Sequence, residues 1–147
     1  MMRATNLRVA MDVDDIERAI AFYSAALGLE LGRRFDAQWV ELVGGPVAID
    51  LLAKAASTPA NPRSDAPRRS YDRHWTPVHL DFVVEDMDAT IERVRKAGGA
   101  LEGDVATYSY GRLARMSDPF GHGFCLLEFH GRGYDEILSR DSPRNSA

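Results

Sequence analysis

Apolar and polar residues alternate through Leu7-Arg8-Val9-Ala10-Met11-Asp12-Val13, the two-residue period of a strand with one apolar face. Ile16, Ala19, Ile20, Tyr23 and Leu27 then recur at helical spacing, and Gly28 closes the stripe. Asp14 and Asp15 stand where a helix would begin. Carboxylates suit that place because they accept from free backbone N–H groups and face the positive end of the helix dipole. Asp14 with Glu17 has the spacing of a capping box. Three short segments of strand character follow, near 29–35, 38–43 and 47–52, with Gly44-Gly45-Pro46 as one of the turns.

The same order of patterns occurs a second time. A shift of 71 residues lays Leu7, Val9, Met11 and Val13 on Val78, Leu80, Phe82 and Val84, and Gly28 on Gly99. The second helical stripe is Met87, Ile91, Val94 and Ala97, stopped by Gly98-Gly99. Strand segments follow near 100–106, 111–117 and 123–129, the last turn being Asp118-Pro119-Phe120-Gly121. The pattern predicts an α+β chain of two tandem βαβββ units, 5–53 and 77–130. Residues 54–76, rich in Pro, Ser and Arg, read as a linker or flap that is either mobile or functional. Residues 131–147 form a tail, expected to fray from Ser139.

Length and composition narrow the classes. At 147 residues with 45% hydrophobic content the chain is one domain whose core needs neither disulfide nor metal. The net charge of −4 and the lack of a basic run argue against a nucleic-acid partner. Arg63, Arg68, Arg69 and Arg73 cluster in the linker but are diluted by Asp65 and Asp72, which reads as a solvated loop. The single cysteine, Cys125, excludes an internal disulfide and fits a reducing compartment. No signal-peptide pattern and no membrane-spanning apolar run is present, so the expected setting is cytoplasmic with no membrane partner.

Three stretches carry a family resemblance: residues 13–23 followed by Leu27-Gly28-Leu29, residues 78–84 leading to Arg95-Lys96-Ala97-Gly98-Gly99, and Asp118-Pro119-Phe120-Gly121 before the last strand. In this order, over about residues 5–130, the chain resembles the vicinal-oxygen-chelate superfamily of glyoxalase, bleomycin-resistance and extradiol-dioxygenase-like proteins. The resemblance implies one curved mixed sheet forming a cup with helices outside, and a small-molecule ligand or substrate in the cup. It also implies, in many members, a chelated divalent metal (zinc, nickel, iron or manganese) acting as a Lewis acid, and a homodimer.

In metal-using members the ligands face inward from the first and last strands of each unit. Alternation points Arg8, Ala10 and Asp12 inward, then Ala48, Asp50 and Leu52, then His79, Asp81 and Val83, and finally Cys125, Leu127 and Phe129. The resemblance makes Arg8, Asp50, His79 and Cys125 the four ligand positions. Arginine only donates, so this set is broken at its first corner. Arg8 is expected to pair with Asp50 or Asp81 where a metal would otherwise sit.

Three functions remain open. In the first, no cofactor is used and an apolar cup lined by Leu52, Cys125, Leu127, Phe129 and Trp39 binds a small organic molecule, oriented by Arg8, His79 and Asp81. Arg8 favours a carboxylate, phosphate or enolate oxygen. The second is a glyoxalase-like lyase, isomerase or dioxygenase whose metal is held by Asp50 and His79, with Asp81 or Cys125. The third is a metal-free acid–base enzyme using His79 with Asp81 or Asp50. Cys125 reads as a small buried hydrophobe rather than a nucleophile. His74 and His122 are expected at the surface, although His74-Trp75 is placed to cap the cup mouth. Trp39 shares a face with Glu41, and Tyr108, Tyr110 and Arg112 lie near another middle strand; alternation does not fix which of these faces is inward.

Overall fold

The computed structural model describes residues 1–138. Its first half contains β1 (Val9–Val13), α1 (Ile16–Leu27), β2 (Glu30–Asp36), β3 (Trp39–Val43) and β4 (Ile49–Ala53). The second contains β5 (Asp81–Val83), α2 (Met87–Lys96), β6 (Ala100–Leu101), β7 (Ala106–Tyr108), β8 (Gly111–Ser117) and β9 (Gly123–Phe129). A short 3₁₀ turn, Gly133–Ile137, follows. This is the α+β duplication read from the sequence. The predicted tail from Ser139 lies outside the described residues.

The strands form two hydrogen-bonded sheets, β1-β4-β3-β2 and β5-β9-β8-β6, with β7 also on β8. In each half the first strand runs parallel to the last, with Ala10 opposite Asp50 and Asp81 opposite Cys125. β1 and β5 are thus both edge strands, and the predicted cup is built from two sheets rather than one continuous ladder.

The core lies between the sheets and the two helices. Val13, Tyr23, Val40, Leu42, Leu51, Met87, Val94, Met116, Phe120 and Leu126 are its largest fully buried apolar side chains. Helices α1 and α2 pack against each other. Their starts are capped by Asp15, which accepts from the Arg18 N–H, and by Asp86, which accepts from the Ala89 N–H. Asp15 therefore takes the role that capping-box spacing had given to Asp14. Its φ of −140° and ψ of 107° give the extended backbone a cap requires, one residue before the first helical turn.

Three expectations change in detail. Leu7 is 70% exposed and Val78 is 79% exposed, so the helix-facing alternation holds only from Val9 and Leu80 onward. The predicted strand over 100–106 is two short strands, because Gly103 at φ +77° turns the chain between them. Residues 54–76 are mostly exposed, as a solvated loop would be, yet they are anchored. Arg69 ties them down, its guanidinium reaching Asp12 at 2.7 Å, the Thr58 hydroxyl at 3.2 Å and the Pro59 carbonyl.

Candidate functional site

The inward face of the first sheet follows from register. Glu41 lies opposite Asp50 and Trp39 opposite Leu52, while Ala10 lies opposite Asp50 on β1, so Trp39 and Glu41 share the Asp50 face. Arg8, just before β1, reaches onto that face. Its Nε and Nη2 donate side-on to both Asp50 oxygens at 3.2 and 2.7 Å, and Nη2 also donates to Glu41 Oε2 at 3.0 Å. Arg33 clamps Glu41 from the other side at 2.6 and 3.0 Å, with its backbone N–H adding a third bond at 3.1 Å. Two guanidinium groups and two carboxylates thus form a neutral cluster.

The cluster sets its own protonation. Glu41 is held well below the usual carboxylate range, at about 2, first by the Arg33 hydrogen bonds and then by Arg8. Arg8 is raised further above its already high value by Asp50 and then Glu41. Both arginines keep their Nη1 groups outside these bonds, and Arg8 is 46% and Arg33 68% exposed. The face therefore presents fixed donors without net charge. Phe35 and Trp39 lie beside it with ring centroids 4.2 Å apart and planes tilted by 34°, and the Arg33 guanidinium lies over Phe35.

On the second sheet Asp81 lies opposite Cys125, and His79 is two residues earlier on the same face. His79 Nε2 sits 3.1 Å from Asp81 Oδ1, both side chains being about two-fifths exposed. One donor atom from each of His79, Asp81 and Cys125 lies within 4.8 Å of the others. Cys125 is buried, and burial followed by the charge of Asp81 pushes its thiol up to about 11. It is a neutral thiol near pH 7, as the reading of a buried hydrophobe expected. Trp75 meets the His79 ring edge-on at 5.6 Å, and its indole N–H donates to Glu102 at 3.0 Å.

Of the predicted residues, Arg8 joins Asp50 and not Asp81, while His79 joins Asp81 and Cys125. No hydrogen bond or ion pair among the described residues links the two groups. Leu52 is half-buried and Phe129 is 37% exposed, but Leu127 is only 2% exposed and presents almost no surface to a ligand. A groove of about 770 Å³ opens between the free edges of β1 and β5, lined by Val9, Ile49, Phe82 and Val84 together with His79 and Asp81. His122 is not a surface residue. Its Nε2 lies 2.7 Å from the Asp12 carbonyl, joining the second half to the β1 edge. Tyr108 and Tyr110 stack at 5.0 Å, whereas Arg112 turns away to Asp88. Arg33 was missed altogether and Glu41 was left unplaced. The signal for Glu41 was its two-residue spacing from Trp39 across a tight turn from Asp50.

The four positions implied by the resemblance do not fit a metal. Arg8 covers both Asp50 oxygens, and its charge repels a cation. The donor types of His79, Asp81 and Cys125 do fit one.

Comparison with known proteins agrees with the fold. The family described as "Glyoxalase-like domain" matches residues 8–127. An anthracycline biosynthesis protein, DauV, of Streptomyces sp. (strain C5) is 33% identical over 127 residues, covering 82% of this chain. The match spans 40% of that relative's length. The fosfomycin resistance protein FosX from Listeria monocytogenes superposes with a TM-score of 0.68 at 16% identity, covering 93% of this chain and 100% of FosX. A glyoxalase/bleomycin resistance protein/dioxygenase from Nocardioides gives 0.61 at 19% identity, covering 90% of this chain and 88% of its own. No helix among the described residues is long and apolar enough to cross a membrane. The duplicated βαβββ architecture and the match over most of the chain make this protein a member of the glyoxalase-like domain family, within the vicinal-oxygen-chelate superfamily.

Proposed function

We propose that this domain binds a small, oxygen-rich organic molecule, anionic in its favoured form, in the cup between its two sheets and without a metal at the four family corners. The observation that carries this reading is the Arg8–Asp50–Glu41–Arg33 cluster, which replaces a chelating corner with fixed hydrogen-bond donors. Trp39, Phe35, Leu52 and Phe129 supply apolar surface on the inward face. His79 and Asp81 are the acid–base pair within this reading. The names of DauV and FosX both refer to small organic molecules, in keeping with it. We place the protein in the cytoplasm as a homodimer, for which light scattering should return twice the 16.3 kDa chain mass.

The alternative is a metal-dependent lyase, isomerase or dioxygenase with an altered ligand set, favoured by the His79, Asp81 and Cys125 cluster. Thermal unfolding of chelator-treated protein separates the two, using a panel of carboxylates, phosphonates and enolisable diketones. A ligand present at 100 times its Kd stabilises by about 2.7 kcal/mol, enough for a clear rise in Tm. The expected result is a rise that persists in EDTA and shrinks in Arg8→Met. A rise that vanishes with EDTA and returns with a divalent ion would establish the alternative.

A further inference from the structure

β8 brings a free cation and a group of aromatic rings onto the inward face of the second sheet. Arg115 lies opposite Cys125, which lies opposite Asp81, and directly opposed residues of paired strands share a face. Arg115 therefore points into the cup from a strand flanked on both sides. The Cys125 thiol registers its charge, which opposes the upward push of burial and Asp81. Of the four arginines in strands, Arg33, Arg34 and Arg112 pair with Glu41, Glu17 and Asp88. Arg115 is exposed and makes no ion pair among the described residues. Asp81 stands two strands away, across roughly 10 Å of sheet. It is engaged instead by His79 at 3.1 Å.

Toward the start of β8 the same face becomes aromatic. Gly111 lies between Tyr108 on β7 and Phe129 on β9, so two rings flank a position that has no side chain. Tyr110 stacks on Tyr108 with ring centroids 5.0 Å apart and planes 3° from parallel. Tyr134 joins them, 5.0 Å from Tyr110 and 4.8 Å from Phe129. Tyr108, Phe129 and Tyr134 are exposed, and rings gathered in the open on a concave face mark a binding surface. Leu113 and Leu127 form the row between these rings and Arg115. The Arg115 and Phe129 rows are four residues of strand apart, about 13 Å. The reach of the arginine side chain shortens this to the length of a small fused-ring molecule.

We propose that the second sheet recognises a flat aromatic carboxylate, with its rings against Tyr108, Tyr110 and Phe129 and its carboxylate in the Arg115 guanidinium fork. This rests on the cup reading above and deepens it. Arg8 and Arg33 are neutralised by Asp50 and Glu41, so Arg115 selects for charge while the first sheet supplies only hydrogen bonds. A guanidinium meets a carboxylate through two parallel hydrogen bonds in one plane. A carboxylate conjugated to a ring lies in the plane of that ring, so one rigid molecule satisfies both subsites. A saturated acid keeps the ion pair but loses the stacking, and a neutral aromatic does the reverse.

The test is calorimetric titration of the full-length protein, in EDTA, with 2-naphthoate, its neutral analogue 2-naphthalenemethanol and its saturated analogue decahydro-2-naphthoate. The expected result is one equivalent of 2-naphthoate bound, about tenfold or more tighter than either analogue. Arg115→Gln should weaken 2-naphthoate by a similar factor and bring it level with the alcohol, while Arg115→Lys should retain part of the difference. Replacing Tyr108 and Tyr110 together by leucine should erase the preference over the saturated acid and keep the preference over the alcohol. Arg115 is exposed, so its variants keep the test decisive if the double tyrosine variant does not fold. No binding of 2-naphthoate by the wild type, or unchanged affinity in Arg115→Gln, overturns the proposal. Weakening by Arg8→Met but not by Arg115→Gln would leave the cup reading standing and remove this one. Weakening by Arg115→Gln but not by Arg8→Met would keep the second-sheet site and remove the Arg8 cluster from recognition.

Discussion

Glu41 sits between two guanidinium groups, and that placement makes its carboxyl a pH-dependent support of the first sheet. Its folded value of about 2 lies below the ordinary 4.5, so the folded state holds the proton less tightly than the unfolded chain. The resulting stabilisation is complete above about 4.5 and is lost as pH falls toward about 2. Glu41→Gln should remove this part of the acid-unfolding profile, as measured by circular dichroism against pH, while shallower titrations elsewhere persist. Tyr23 presents a second residue-level case. Its hydroxyl donates to Asp118 at 2.5 Å in the core, and Asp118 also accepts from the Phe120 and His122 backbone N–H groups. Tyr23→Phe should cost roughly 1–3 kcal/mol in urea unfolding, because a buried carboxylate loses one of its donors. Alternation assigned Arg8, Asp50, His79 and Asp81 to inward faces because each lies in a strand, or the approach to one, with a clear apolar side. It could not place Glu41, whose neighbours Val40 and Leu42 are apolar but whose face depends on the register with β4.

At the level of elements, the turns and strand ends decide whether the faces align. Gly111 at φ +148° begins β8, and a Cβ there would lie 1.9 Å from the Glu128 carbonyl oxygen of β9. Gly111→Ala should therefore lower stability by about 1–3 kcal/mol, read as a lower Tm, since the pairing that sets Cys125 opposite Asp81 runs through β9. The helices were legible from their stripes and glycine stops. Their first residues were less so, because adjacent acids at Asp14 and Asp15 offer equivalent caps until the backbone is known. The segment 54–76 was legible only as irregular. What orders it is Arg69, which bonds to residues distant in sequence. Arg69→Ala should release it, seen as faster amide hydrogen exchange across residues 57–69 with little change in the sheets.

For the whole molecule, duplication was the strongest sequence signal, and it fixed the α+β architecture independently of any family likeness. It carried less information about how the halves meet. Two of the joining contacts, Tyr23 to Asp118 and His122 to the Asp12 carbonyl, are made by polar side chains whose counterparts under the 71-residue shift, Val94, Val47 and Leu51, are apolar. The separation of the site into an ionic cluster on one sheet and a His–Asp–Cys cluster on the other was likewise invisible, because alternation names a face and not a distance. The central claim is that the Arg8 corner binds by hydrogen bonding and not by metal coordination. Anomalous diffraction from crystals grown with excess zinc tests it most directly. The account predicts no anomalous peak within coordination distance of Asp50 or Glu41, and Arg8 still bonded to both. A zinc ion ligated by Asp50 and Glu41, with Arg8 displaced, would contradict it.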